Sequence, residues 1–253
     1  MLVDTHCHLD AAEFAADRDA VHAAALAAGV GRIIVPAVTV DNCLAVKRTC
    51  QRYAGCYPAY GIHPLYVDQT GPEDLARLRR LLQQDRPLAV GEIGLDFYIA
   101  DADIDRQEYF YLEQLKLARE FDLPVLLHVR RAVDPILRGL RRIRVRGGIA
   151  HAFNGSRQQA EELIKLGFKL GFGGTLTYPG SRRIRQLATE LPLASLVLET
   201  DAPDIPPVWR AGGRNDPAQL PAIGKELAVL RGVPPADLQA ALLANCRELF
   251  PAL

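Results

Sequence analysis

Pro124-Val125-Leu126-Leu127-His128 and, twenty residues further on, Gly148-Ile149-Ala150-His151 are two short apolar runs, each closed by a histidine. Neither alternates polar with apolar side chains. Each therefore reads as a strand covered on both faces, which is the habit of parallel sheets packed between helices. The same reading extends outward in both directions. It gives strands at Leu2–Thr5, Arg32–Pro36, Tyr57–Gly61 and Leu88–Gly91 before this pair, and at Lys169–Phe172 and Leu196–Thr200 after it. Stretches such as Asp17–Ala28, Glu73–Gln84, Arg106–Phe121 and Gln158–Leu166 repeat apolar residues at three- and four-residue spacing and read as helices. Eight such units in 253 residues suit a closed (β/α)₈ TIM barrel, which needs about 250. No Pro/Ser/Gly linker divides the chain, so the expectation is one domain over 1–253, closed by a terminal helix at Pro235–Leu249.

Composition narrows the function classes. Lys plus Arg and Asp plus Glu number 30 each, so net charge gives no drive toward nucleic acid or membrane, although a local basic face remains compatible with phosphate chemistry. The five cysteines include no Cys-x-x-Cys pair, which removes a zinc ribbon or a thioredoxin motif and argues against a disulfide framework. No Gly-rich dinucleotide fingerprint, phosphate loop or Gly-x-Ser-x-Gly occurs. No charged and apolar leader pattern is found and no apolar run approaches 18 residues, so the expected setting is reducing and cytoplasmic, without membrane contact.

The six histidines carry the functional reading. His6, His8, His63, His128 and His151 each stand at or just past the end of an expected strand, and only His22 falls within a helix. Glu92 and Asp201 occupy the same kind of position. In a barrel all strand C-termini open on one face, so these seven side chains would surround one cavity. In Asp4-Thr5-His6-Cys7-His8, residues two apart point the same way on a strand. The two rings can then share a divalent ion, or be two hydrogen-bonded structural histidines, with Asp4 fixing a ring or capping the turn. Glu92 follows Gly91, which allows close approach to a cation, and Asp96 can orient a neighbour or reach the substrate. In Leu198-Glu199-Thr200-Asp201-Ala202-Pro203, Asp201 is placed to bind metal and take a proton from water, with Glu199 as a supporting partner behind it. Imidazole with carboxylate suits Zn²⁺, Mn²⁺ or, with more water, Mg²⁺.

These segments resemble the TatD family of metal-dependent deoxyribonucleases, within the amidohydrolase-like barrels. The matching runs are Asp4–Asp10, Gly61–Pro64, Gly91–Asp96, Pro124–His128, His151–Ser156, Glu199–Pro203, Arg214–Pro217 and Asn245–Phe250, in the family's order along nearly the whole chain. The resemblance implies two divalent ions (Mg, Mn or Zn) held by His6, His8, Glu92, His128, His151 and Asp201, with Glu92 bridging. It also implies that Asp201 activates the water, with Glu92 as its catalytic companion, and that His63 contacts a substrate phosphate. The implied reaction is phosphodiester hydrolysis in DNA, exonucleolytic from the 3′ end, without an obligatory protein partner. After His128 the chain reads Val129-Arg130-Arg131-Ala132 where many relatives have Ser-Arg-Asp-Ala, and Ala152 and Asn154 replace the more usual Cys and Ser. Arg130 keeps its place and can contact a phosphate. These departures bear on substrate preference, not on the implied ligands.

Two other readings stand beside this one. The same metals serve ester or amide hydrolysis of a small molecule or an aminoacyl ester, and a binding protein could carry structural metals. Basic groups near the site would favour a nucleic acid. Arg138, Arg141, Arg142, Arg144 and Arg146 fall toward the opposite end of the barrel and read as solvated surface, whereas Arg182, Arg183 and Arg185 lie nearer the site face. Tyr98, Phe153 and Trp209 are candidates for stacking on bases.

Overall fold

The computed structural model describes residues 1–253. Eight parallel strands lie side by side in chain order: β1 (Leu2–Asp4), β2 (Val30–Pro36), β3 (Cys56–Tyr60), β4 (Ala89–Asp96), β5 (Val125–Arg130), β6 (Gly148–Ala150), β7 (Phe168–Phe172) and β8 (Leu196–Leu198). The helices are α1 (Arg18–Ala27), α2 (Cys43–Arg52), α3 (Pro72–Asp85), α4 (Ile104–Glu120), α5 (Val133–Arg142), α6 (Arg157–Lys165), α7 (Arg182–Glu190), α8 (Leu220–Arg231) and α9 (Pro235–Leu249). No helix is long and apolar enough to cross a membrane.

The sheet closes between its first and last strands. The Thr5 N–H and hydroxyl both donate to the Leu198 carbonyl, at 3.1 and 3.0 Å. Just beyond, the Asp201 N–H donates to His6 O and the His8 N–H to Ala202 O, each at 2.8 Å. Asp4 reinforces this seam. Its buried carboxylate accepts from the Thr200 N–H at 2.9 Å and the Thr200 hydroxyl at 2.6 Å, and from the His6 N–H at 3.3 Å. Asp4 thus caps a turn across the seam and fixes no imidazole ring. The result is a (β/α)₈ barrel, as the strand pattern implies.

Inside the barrel, residues two apart on a strand share a direction, so several strands carry an apolar side chain below and an ionisable one above. Leu126 precedes His128, Ile149 precedes His151, and Val197 precedes Glu199 and Asp201. The lower layer of Val3, Ile34, Ala59, Ala89, Leu126, Ile149 and Val197 packs against Cys246, Leu249, Phe250 and Leu253 at the end of the chain. On β7 the buried Lys169 interrupts that layer, and its ammonium is held by Ala194 O at 2.8 Å and Glu248 at 2.7 Å. The terminal helix α9 is therefore the plug of the barrel. Two strands run further than their sequence suggests. β4 continues through Glu92 to Asp96, and β5 passes His128 to Arg130, pairing Gly94 with His128 and Asp96 with Arg130. Glu92 and His128 accordingly sit within strands, not at their ends. Gly94 permits this approach: its φ is +146°, and a Cβ there would overlap the His128 carbonyl.

The plug hangs on Asn245, whose buried amide donates to Leu193 O at 2.7 Å and Leu196 O at 2.8 Å. Asn245→Ala strips two carbonyls of their partner. It is expected to cost about 1–3 kcal/mol, seen in thermal unfolding as a Tm lower by roughly 2–10 °C. An unchanged Tm would mean that α9 is held by its apolar packing and the Lys169–Glu248 pair without need of Asn245.

Candidate metal centre

Glu92 is 2% exposed and lies at the centre of the upper layer. Its two oxygens face different partners. Oε2 is 3.1 Å from His6 Nε2 and 3.6 Å from His8 Nε2. Oε1 is 2.9 Å from both His128 Nδ1 and His151 Nε2, and 3.4 Å from His63 Nε2. Asp201 joins the first group, with Oδ1 3.5 Å from His6 Nε2 and 3.7 Å from His8 Nε2. Five imidazoles thus converge on one carboxylate, and a second carboxylate closes one side. The rings of His6 and His151 stack with centroids 4.0 Å apart.

A second ring of groups holds the first in place. The Nε2 of His128 lies 3.1 Å from Asp96 Oδ2, so its Nδ1 is the nitrogen left to face Glu92. The Nδ1 of His63 accepts from the Leu65 N–H at 3.1 Å, which directs its Nε2 inward. Glu199 stands behind His151, with Oε1 3.8 Å from its Nδ1, and accepts from the Ala152 N–H. Gly171 makes room for this carboxylate, since a Cβ there would overlap it. From outside the barrel, two buried glutamines of α4 seven residues apart grip strand-end backbone. Gln107 accepts from the Asp96 N–H at 2.9 Å and donates to its carbonyl at 3.2 Å. Gln114 does the same for Ile62, next to His63, at 2.7 and 3.0 Å. On the far side, the amide of the fully buried Asn215 donates to Thr200 O at 2.8 Å, Asp204 O at 2.9 Å and Ile205 O at 3.2 Å, bracketing Asp201.

The electrostatics follow from burial and proximity. Burial opposes a charge on His151, but the Glu92 carboxylate outweighs it and pushes the pKa up to about 10. Burial and the neighbouring His151 cation drive His6 down to about 3. Burial would raise Glu92, yet His63, His6 and His151, with the hydrogen bond from His128, hold it well below the usual carboxylate range. Burial raises Asp201, and raises Glu199 to about 8. Above these groups opens a cavity of about 1240 Å³, reached by His8, His63, Glu92, His128, His151 and Asp201. His6 lies beneath it, fully buried.

The profile of the family described as "TatD related DNase" matches residues 3–251. The chain belongs to the TatD family. It is 43% identical over 252 residues to an Escherichia coli K12 protein named "Uncharacterized metal-dependent hydrolase YjjV", covering 98% of this chain and 97% of that one. The crystal structure of YjjV superposes with a TM-score of 0.96 at 42% identity, covering 100% of this chain and 98% of the other. A Cronobacter sakazakii protein named "3'-5' ssDNA/RNA exonuclease TatD" is 35% identical over 263 residues, covering 98% of this chain and 97% of that one. This TatD-family chain is accordingly a metal-dependent hydrolase, and its three sets of converging ligand atoms fit that chemistry.

In this family member, the residues singled out by sequence fall in one place: His6, His8, His63, Glu92, Asp96, His128, His151, Glu199 and Asp201 all belong to the two rings just described. Arg130 lines the cavity, with its guanidinium 3.9 Å from Asp96. His63 is as close to Glu92 as the expected ligands are, so the geometry alone does not set it apart from them. His22 packs in α1 against Ala54 O, away from the site. Of the aromatic candidates, Phe153 is 1% exposed and belongs to the core, and Trp209 does not line the cavity, whereas Tyr98 lines it and is exposed. Of the three arginines near α7, only Arg183 lines the cavity, while Arg185 pairs with Glu226. Gln107, Gln114 and the role of Asn215 do not follow from the motifs. Two glutamines on the apolar face of a helix, two turns apart, are the one signal that would have raised the first two.

Asn215→Ala removes three hydrogen bonds from the segment that carries Asp201. The expected result is a stability loss of about 1–3 kcal/mol, with faster amide hydrogen exchange confined to residues 200–206. Exchange that stays as slow as in the parent protein would show that the segment is held elsewhere.

Proposed function

We propose that this protein is a divalent-metal-dependent nuclease that hydrolyses phosphodiester bonds in DNA, working from the 3′ end. The observation that carries the reading is the divided Glu92 carboxylate at the floor of the cavity. One oxygen faces His6 and His8, with Asp201 beside them. The other faces His128 and His151. Such an arrangement would hold divalent cations beside Glu92, and its nitrogen and carboxylate donors suit Zn²⁺ or Mn²⁺, and Mg²⁺ with added water. The name of the Cronobacter relative supports a nucleic-acid substrate. So does size: the cavity exceeds the ~300–1,000 Å³ of clefts shaped for small ligands.

When bound, the ions would lower the pKa of a water and polarise a phosphoryl oxygen. The chain's own residues do the rest. His6, His8, Glu92, His128, His151 and Asp201 would hold the ions. Asp201, which lines the cavity and is more exposed than Glu92, would take the proton of the attacking water on its carboxylate; burial raises its affinity for that proton. His63, directed inward by Leu65, donates to a phosphate oxygen, and Arg130 contacts the phosphate from the rim. Asp96 and Glu199 keep His128 and His151 in position.

Metal-stripped protein given Mg²⁺, Mn²⁺ or Zn²⁺ separately is expected to shorten end-labelled DNA from its 3′ end, and Glu92→Ala should abolish both metal retention and cleavage. Metal bound without any cleavage would move the assignment to an ester or amide substrate. Asp201→Asn should lower turnover by at least about 100-fold while leaving Tm within a few degrees. His63→Ala should weaken turnover with metal content preserved; a parallel loss of metal would make His63 a ligand.

A further inference from the structure

We propose that Tyr98 and Arg131 form a second subsite on the cavity rim, which takes the base and phosphate of the nucleotide next to the one at the metal centre. The proposal rests on the nuclease reading and extends it from the reacting bond to the strand behind it. Tyr98, in the loop between β4 and α4, is 49% exposed and lines the cavity together with Arg130 and Arg131. The guanidinium carbon of Arg130 lies 3.7 Å from the centre of the Tyr98 ring and that of Arg131 lies 4.7 Å from it. A planar cation resting on an aromatic ring loses little further freedom when it meets a phosphate, and it presents a flat face on which a base can stack.

Three observations mark this cluster as a binding surface. First, Arg131 makes no ion pair, in contrast to Arg138 with Glu108, Arg141 with Glu162 and Arg157 with Glu161, so its guanidinium is free to meet an anion. An unneutralised guanidinium beside an exposed aromatic ring is the combination by which single strands are held along their backbone. Second, Arg131 has φ +56°, a conformation uncommon for a side-chain-bearing residue. Of the six non-glycine residues at positive φ, four (Arg131, Ala152, Asp201 and Ile205) line this cavity. Backbone strain collected around one cavity points to function there. Third, the cluster is tied to the reacting end at a fixed distance. Asp96 accepts from the Tyr98 N–H through Oδ1 at 2.9 Å, while its Oδ2 lies 3.1 Å from His128 Nε2. One buried carboxylate therefore positions both the metal centre and the stack. Exposed Leu65 and Tyr66 line the same cavity and provide an apolar flank for a strand leaving it.

The test is binding of 5′-fluorescein oligothymidylates of one, two and four nucleotides to metal-stripped full-length protein, read by fluorescence anisotropy across a salt series. Affinity is expected to rise by roughly tenfold from one nucleotide to two. Arg131→Ala and Tyr98→Leu should each remove most of that rise, and Arg131→Lys should keep part of it. Arg131→Ala should also flatten the dependence of log Kd on log salt by about 0.7. Arg142→Ala, an exposed cation at the far end of α5, should match the parent protein. No rise with length, a rise that survives both Arg131→Ala and Tyr98→Leu, or an equal loss in Arg142→Ala would each overturn the subsite. Because no cleavage is involved, the two ideas separate. A length step lost in the variants of a protein that cuts no DNA sinks the nuclease reading alone, and cleavage without a length step sinks the subsite alone.

Discussion

A buried carboxylate facing five imidazoles is the constraint on which the rest of this structure depends. Removing Glu92 from water carries a heavy desolvation cost unless compensating charge is held at close range. That compensation comes from rings on β4's neighbours and on the opposite wall, at 2.9–3.6 Å. Side chains from β4 and β5, with those of the turns after β1, β3 and β6, must therefore meet closely. A single parallel sheet closed on itself brings strands that distant in sequence to one point.

Precision of that kind requires a stiff frame, and the frame is polar as much as apolar. Below the site the barrel is filled by one apolar side chain from most strands and by the plug of α9. Above it, each functional segment is clamped by a buried amide or carboxylate: Asp96 and Ile62 by the glutamines of α4, Thr200 by Asp4 and Asn215, and His128 by Asp96. These hydrogen bonds are made between groups that would be costly to leave unpaired. They also hold Asp201 at φ +57°, a conformation that an unclamped loop would relax. Stability in this molecule is concentrated at the apolar end and strain at the open end, in keeping with the division of labour in barrels of this class.

Much of this was legible along the chain. Continuous apolar runs ending in His or acid gave the strands and the shared face, and two-residue spacing in Val197-x-Glu199-x-Asp201 gave the direction of the side chains. β4 was harder to read. Gly91-Glu92-Ile93-Gly94-Leu95-Asp96 looks like a strand end followed by a turn, because glycine and acid weaken local strand preference. Only its pairing with β5, which the sequence does not display, carries the strand on to Asp96. The clamps were illegible for the same reason. Asp4 meets Thr200 across 196 residues and Gln114 meets Ile62 across 52, and no local pattern marks either partner. Burial likewise separates Phe153 from Tyr98, two aromatic residues that are equivalent candidates in sequence.

The equal count of acids and bases conceals where charge is left unpaired. Around the outside of the barrel, guanidiniums and carboxylates neutralise one another helix by helix: Arg52 with Asp19, Arg77 with Asp41 and Asp74, Arg79 with Glu120, Arg214 with Asp17. These exposed pairs contribute little to stability, and other exposed arginines such as Arg48, Arg142 and Arg144 stay outside them. The rim, too, carries guanidiniums without a close carboxylate. Arg131 has no carboxylate, Arg183 is held only by the neutral amide of Asn154, and Arg130 reaches Asp96 only at 3.9 Å. A neutral protein can therefore leave Arg131 and Arg183 without a carboxylate partner at the cavity mouth, although Asp10, Glu13, Asp134 and Asp204 line the same cavity. Net charge is a sum over the whole surface, whereas attraction of a phosphate depends on charges within about one screening length, ~8 Å at physiological salt.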